Sequence, residues 1–251
     1  MARLPRVVLP GHPHLIVHRG QSGQAVFLDA ADRALYLERL RESAVATRVA
    51  VHGYALLATE VRLLVVPETA GGLAQLMQSV GRCYVPAFNK KYARTGTPWE
   101  GRFRSTVIEA KRHFLACLRF VEAWGEAAGI EAARGADDAP WSSAAHHLGA
   151  RVDPLVRDHP AFWALGNTPF EREAAYRRFV ERARADGEVA AILLAALNGW
   201  VLGTPEFSAM VAEQTGRRPQ PARRGRPRKA PSAAAVNDLT PFIKLERQDD
   251  F

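Results

Sequence analysis

A chain of 251 residues with 47% hydrophobic and 24% charged side chains has the make-up of a globular protein, long enough for one large domain or one domain with appendages. No apolar run approaches a membrane span, the N-terminal MARLPRVVLPG lacks the apolar core and cleavage site of a signal peptide, and the two cysteines, Cys83 and Cys117, cannot build a zinc cluster alone. A net charge of +8 and a pI near 10 point to a polyanionic partner, most often nucleic acid.

HLIVH, residues 14–18, reads as a first strand. Turn-like GQSGQ and a short apolar AVFL follow. Asp29 is placed to cap a helix with Asp32 in its first turn, and Leu37, Leu40 and Ala44 continue that helix at core spacing. RVAVHGYALLA, 48–58, and EVRLLVV, 60–66, read as two strands. Leu73, Leu76, Met77, Val80, Tyr84, Ala87 and Phe88 then mark a long helix, in which Pro86 should introduce a kink. Both cysteines are expected as buried small hydrophobes in a reducing cytoplasm. FRSTVIEA, 103–110, reads as a fourth strand, and a helix over 111–128 completes a β-α-β-β-α-β-α order. That order predicts an α+β fold, a split βαβ with an antiparallel sheet.

A second region begins near Pro140. TPFEREAAYRRFVERARA has helical spacing at Ala175, Phe179 and Ala183, and EVAAILLAALNGWVLG and PEFSAMVAEQTG read as two shorter helices. From Arg217 onward Pro, Arg, Ala and Ser dominate, which predicts disorder. Residues 217–229, RRPQPARRGRPRK, carry seven basic side chains and no acidic one.

Within TEVRLLVV, 59–66, alternation gives Val61, Leu63 and Val65 one face of a strand and Glu60 and Arg62 the other. Taken alone, that pair reads as a solvated face. His14 and His18 share a strand face but lie roughly 13 Å apart along it, too far to share an ion. His146 and His147 are adjacent and point apart. All four histidines read as structural or surface residues.

In order along residues 1–230, MARLPRVVLPG, HGYALL, VGRCYVPAFNKKY, WEGRFRSTVIEA, CLRFVEAWGEAAGI, WSS, LGNTPFEREAAYR and RRGRPRK resemble the REP-associated tyrosine transposases, a group of single-tyrosine HUH DNA transposases. The resemblance implies a ferredoxin-like sheet carrying helices. It implies an enzyme that cuts single-stranded DNA beside a hairpin, with a helix tyrosine becoming linked to the 5′ end. Two histidines, in a His-hydrophobic-His string on a strand, would hold the divalent metal. The spacing suits that chemistry: i and i+2 share a strand face, and i and i+4 are neighbours on a helix.

This sequence departs from the pattern at each of those positions. The resemblance places the two metal ligands at Glu60 and Arg62, the nucleophile at Phe120 and the third ligand at Trp124. Arginine is a permanent cation and repels a divalent ion, and phenylalanine has no hydroxyl to attack phosphorus. The expectation is a refilled site, with Arg62 paired to Glu60 and stacked on an aromatic such as Trp124. Phe120 and Trp124 also suit plain core packing at helical spacing. Tyr84 and Tyr92 are the candidates for a substitute nucleophile.

The expected function is therefore a DNA-binding protein on a transposase scaffold, catalytically inactive, binding single-stranded or hairpin DNA, with a cytoplasmic, nucleoid-associated location. The alternative is an active transposase using other residues and Mg²⁺ or Mn²⁺; otherwise no cofactor is expected. The expected organisation is a transposase-like domain over 1–135, a helical region over 136–216 and a basic tail over 217–251. Arg223, Arg224, Arg226, Arg228 and Lys229 surround an Arg-Gly-Arg-Pro centre like that of an AT-hook, suited to the narrow minor groove of A·T-rich duplex. A generic basic tail contacting phosphates is the simpler reading. Arg82, Lys90, Lys91, Arg102 and Arg104 are candidates for a second basic surface. A homodimer is open, and no membrane contact is expected.

Overall fold

The fold is that of a computed structural model, which describes residues 6–122, 141–182 and 187–217. All of them belong to one compact unit, Met1–Gln220. Trp124, Ala183 and Arg223 to Lys229 lie outside the described residues.

Four strands form one antiparallel sheet: β1 His14–Arg19, β2 Val49–Leu57, β3 Glu60–Pro67 and β4 Arg104–Val107, in the order β2-β3-β1-β4. Helix α1, Ala30–Thr47, links β1 to β2, and α2, Gly72–Lys91, links β3 to β4. In each case the two linked strands flank a third. This is the split βαβ arrangement, and the protein is α+β. The start of α1 is fixed by a capping box: Asp29 accepts from the backbone of Asp32, and the Asp32 carboxylate accepts from the backbone of Asp29. Helix α2 continues past Pro86 to Lys91.

The sheet is covered on both faces. Ile16, Val61, Leu63 and Val65 turn toward α1 and α2, into a core with Tyr36, Leu40, Tyr84, Phe88 and Trp99. Leu15, Val17, Ala55 and Leu64 turn the other way, toward helix α3, Ala110–Glu122. Alternation along the strands sorts these residues between the faces. A β-bulge interrupts the β2–β3 register between Val51 and Gly53. A Cβ at Gly53 would lie 2.6 Å from the Leu118 side chain, so the missing side chain lets α3 approach the sheet closely.

The chain after residue 141 completes the α3 face. Two single turns, α4 Ala144–His147 and α5 Pro160–Trp163, precede α6 Pro169–Glu181, α7 Glu188–Asn198 and α8 Pro205–Thr215. Phe162 of α5, Tyr176 of α6, and Ile192 and Ala196 of α7 share the core of Phe114, Leu118 and Phe120 on α3. Ala175 and Phe179 lie in α6 as their spacing predicts, with Phe179 packed against this core, and the residue that α6 buries fully against α3 is Tyr176. The other departures are small. Cys117 is buried, but Cys83, on α2, is exposed. Among the described residues, no helix is long and apolar enough to cross a membrane.

Candidate functional site

Glu60 and Arg62 lie beneath α3, not on a solvated face. Each is 8% exposed, and Phe120 is 4% exposed. The Arg62 Nε and Nη2 donate to Glu60 Oε1 at 2.6 and 2.5 Å. Its Nη1 donates to the Phe120 carbonyl at 3.1 Å, near the end of the described part of α3. Its guanidinium lies 4.5 Å from the centre of the Phe120 ring, within reach of a cation–π contact. Arg19 Nε donates to the second Glu60 oxygen at 3.2 Å. Three of the four positions that the sequence resemblance singles out, Glu60, Arg62 and Phe120, thus meet at one point between sheet and helix. The aromatic under Arg62 is Phe120; Trp124 lies outside the described residues.

This arrangement does not fit a divalent ion. Both Glu60 oxygens already face guanidinium groups, and an added cation would sit against Arg62 and Arg19. A buried carboxylate without such partners carries a large desolvation cost.

Two residues further along α3, Glu122 anchors a second buried network. Its Oε1 accepts from Ser143 Oγ at 2.5 Å and from His147 Nδ1 at 2.6 Å, and its Oε2 from Tyr176 Oη at 2.7 Å. Burial first, then the Glu122 charge, holds the Tyr176 hydroxyl far above its ordinary pKa, so it remains a donor. Ser143 comes from the WSS stretch and Tyr176 from α6, so this network ties the C-terminal helices to α3. The sequence held one signal for it: an acidic residue closing FLACLRFV, a segment apolar apart from Arg119.

His146, His147 and Asp158 bring three metal-competent atoms within 4.8 Å of one another. Their hydrogen bonds oppose a metal. His146 Nδ1 accepts from the Asp153 N–H at 3.1 Å, which leaves the ring proton on Nε2, and Nε2 faces Asp158 Oδ1 at 3.3 Å. His146 therefore turns a proton, not a lone pair, toward the carboxylate. Only His147 Nε2, 4.0 Å from Asp158 Oδ1, remains as a nitrogen ligand.

His14 is a core histidine. Its Nδ1 donates to the His12 carbonyl at 2.7 Å and its Nε2 accepts from the Leu9 N–H at 3.1 Å. Burial, the largest cause, lowers its pKa to about 4. His18 stacks on Trp99 with centroids 4.1 Å apart, and burial likewise lowers it to about 4.

Tyr84 is fully buried and donates its hydroxyl to the Val26 carbonyl. Burial raises its pKa beyond that of a free tyrosine. It has neither exposure nor a base, and it is unsuited to attack a phosphate. Tyr92 is half-buried and donates to Asp32 at 2.8 Å.

Of the basic candidates, Arg82, Lys90, Lys91, Arg102 and Arg104 are all exposed. The Lys91 ammonium lies 2.5 Å from Asp29 and 2.8 Å from Asp32, so its charge is already matched by the α1 cap. Arg102 and Arg104 flank Phe103 at the start of β4. Val17 pairs with Arg62 on one side and Arg104 on the other. Register partners share a face, so Arg104 lies on the face of Arg62, about 10 Å away across β1.

No family model matches the chain, and no curated protein matches it. Among solved structures, it is similar to a REP-associated tyrosine transposase bound to a REP hairpin, at 9% identity and a TM-score of 0.38, over 49% of this chain and 71% of that one. It is also similar to a Deinococcus radiodurans R1 protein assigned to the transposases, at 22% identity and a TM-score of 0.32, over 46% of this chain and 93% of that one. Similarity at this level does not place the chain in a family.

Proposed function

We propose that the protein binds single-stranded or hairpin DNA on a tyrosine-transposase scaffold and has lost strand-transfer chemistry. The observation that carries this reading is the meeting of Glu60, Arg62 and Phe120 beneath α3. The resemblance expects two metal ligands on one strand face, opposite a helix nucleophile. The substituted residues occupy that geometry and satisfy one another, leaving no free ligand and no hydroxyl. The exposed Arg82, Lys90, Arg102 and Arg104, and the run Arg223 to Lys229, would supply phosphate contacts. In this reading Mg²⁺ and Mn²⁺ have no role.

Native gels with a labelled DNA hairpin test the binding half of this reading. The expected result is a shift that weakens steeply as salt rises, as counterion release requires. Failure to shift any hairpin or single strand at moderate salt would contradict it.

A further inference from the structure

A groove of about 290 Å³ runs along the outer edge of β4, and four arginines from separate stretches line it: Arg6, Arg102, Arg104 and Arg217. Glu100 is the one carboxylate in the lining. Among the described residues none of the four arginines has an ion-pair partner within 4 Å. Arg6 is fixed in place: its Nε and Nη2 donate to the Phe103 carbonyl at 3.2 and 2.9 Å, and its guanidinium lies 3.6 Å over the Phe103 ring. Burial, then the charges of Arg102 and Arg104, lowers its pKa to about 10. It stays protonated at neutral pH, crowded by cations that lack a counter-charge.

A second observation points to a ligand. Ser105 also lines the groove, is 6% exposed, and its hydroxyl has no hydrogen-bond partner. A buried hydroxyl without a partner is uncommon and calls for an explanation. The Ser105 side chain lies on the Ile16 side of the strand and that of Arg104 on the other, while the Ser105 backbone faces outward. The Phe103 carbonyl accepts from Arg6, and the Val107 carbonyl accepts from Leu202, so both residues point to the outer edge. Ser105, midway between them, turns its N–H and C=O to that edge by strand alternation.

Four cations against one carboxylate exceed what one monoanionic phosphodiester would neutralise; successive phosphates of a strand match them. We propose that the β4-edge groove is a backbone clamp for a single nucleic-acid strand, with Ser105 and the arginines gripping consecutive phosphates. This rests on the DNA-binding reading above and adds Arg6, Ser105 and Arg217 to it. Arg217 is also the first residue of the basic run 217–229 in the sequence.

The test is fluorescence anisotropy of a labelled oligothymidine with the full chain, across a salt series. R104Q should weaken binding about three- to tenfold and lower the salt slope by about one. Ser105→Ala should weaken it about threefold at unchanged salt slope and unchanged melting temperature, since it removes an uncharged donor. R39Q, which alters a half-buried α1 arginine paired to Glu42, should bind as the unaltered chain does. If R104Q and Ser105→Ala both bind normally, the groove assignment is overturned while the DNA-binding reading stands. If the unaltered chain binds no strand, both are overturned. If equimolar inorganic phosphate displaces the strand, the groove is a free-anion site and the strand clamp is overturned.

Discussion

The two faces of the sheet are packed by opposite means. Toward α1 and α2 the core is apolar and aromatic: Phe27, Tyr36, Tyr84 and Trp99 meet edge to face or tilted, with centroids 5.3 to 6.5 Å apart. Toward α3, charge is buried in depth. Glu60, Arg62, Arg119, Glu122 and His147 are each under 9% exposed, and each is engaged by a partner. Arg119, for example, donates to Glu188 at 2.6 Å and to the Phe179 carbonyl at 3.0 Å. Hydrophobic burial alone stabilises a sheet face at lower risk than buried ion pairs, whose desolvation cost can cancel their attraction. The α1/α2 face follows the physics of folding. The α3 face holds buried charges that need partners from α3 and the C-terminal helices.

The largest effect should come from breaking the polar face. Arg62→Met leaves Glu60 buried with only the half-exposed Arg19 as partner, and should destabilise the protein by about 3–5 kcal/mol. Replacing both partners, Glu60→Leu with Arg62→Met, should recover most of that loss, since well-packed apolar residues often match a buried pair. Urea unfolding of the two singles and the double would read this; a double as unstable as Arg62→Met would show that the pair is needed for folding.

Next in size is the pH dependence of His14. Its two nitrogens already donate to His12 and accept from Leu9, so protonation would set an N–H against an N–H. With a folded pKa of about 4 against 6.5 unfolded, the neutral form contributes stability that is complete above about pH 6.5. That stability is lost as pH falls toward 4, by about 3 kcal/mol in all. Melting curves between about pH 7.5 and pH 4.5 should show this decline, and His14→Gln should make it shallower, the remainder coming from His18 and His159, which carry shifts of the same size. An equal slope in the variant would remove His14 as the cause.

The smallest effect belongs to the aromatic face. Tyr84→Phe removes one hydrogen bond to Val26 and leaves the ring packing intact, a loss of about 0.5–1.5 kcal/mol. DNA binding should not change. A loss of binding in this variant would mean that the face is not purely structural.

Local signals made much of this legible. Period-2 alternation put Glu60 and Arg62 opposite Val61, Leu63 and Val65, period 3.6 gave α2 its Leu73–Phe88 stripe, and Asp29 marked the start of α1. The sequence could not show what depends on distant segments. Glu60 and Arg62 look solvated until α3 is laid over them. Lys91 looks free for phosphate until its contacts with Asp29 and Asp32, some sixty positions earlier, are seen. Helix α5 is a single turn, too short for periodicity to register, yet it supplies Phe162 to the core. Ser105 looks like an ordinary strand serine; only its burial without a partner, beside Arg6 from the start of the chain, marks the groove.

The most direct test is incubation of the protein with a labelled single-stranded DNA hairpin and Mg²⁺ or Mn²⁺, analysed in parallel on native and denaturing gels. The prediction is a native-gel complex with neither cleavage nor a covalent adduct, with or without metal. A metal-dependent adduct would contradict the loss of chemistry, and mapping the linked residue would show which side chain stands in for Phe120.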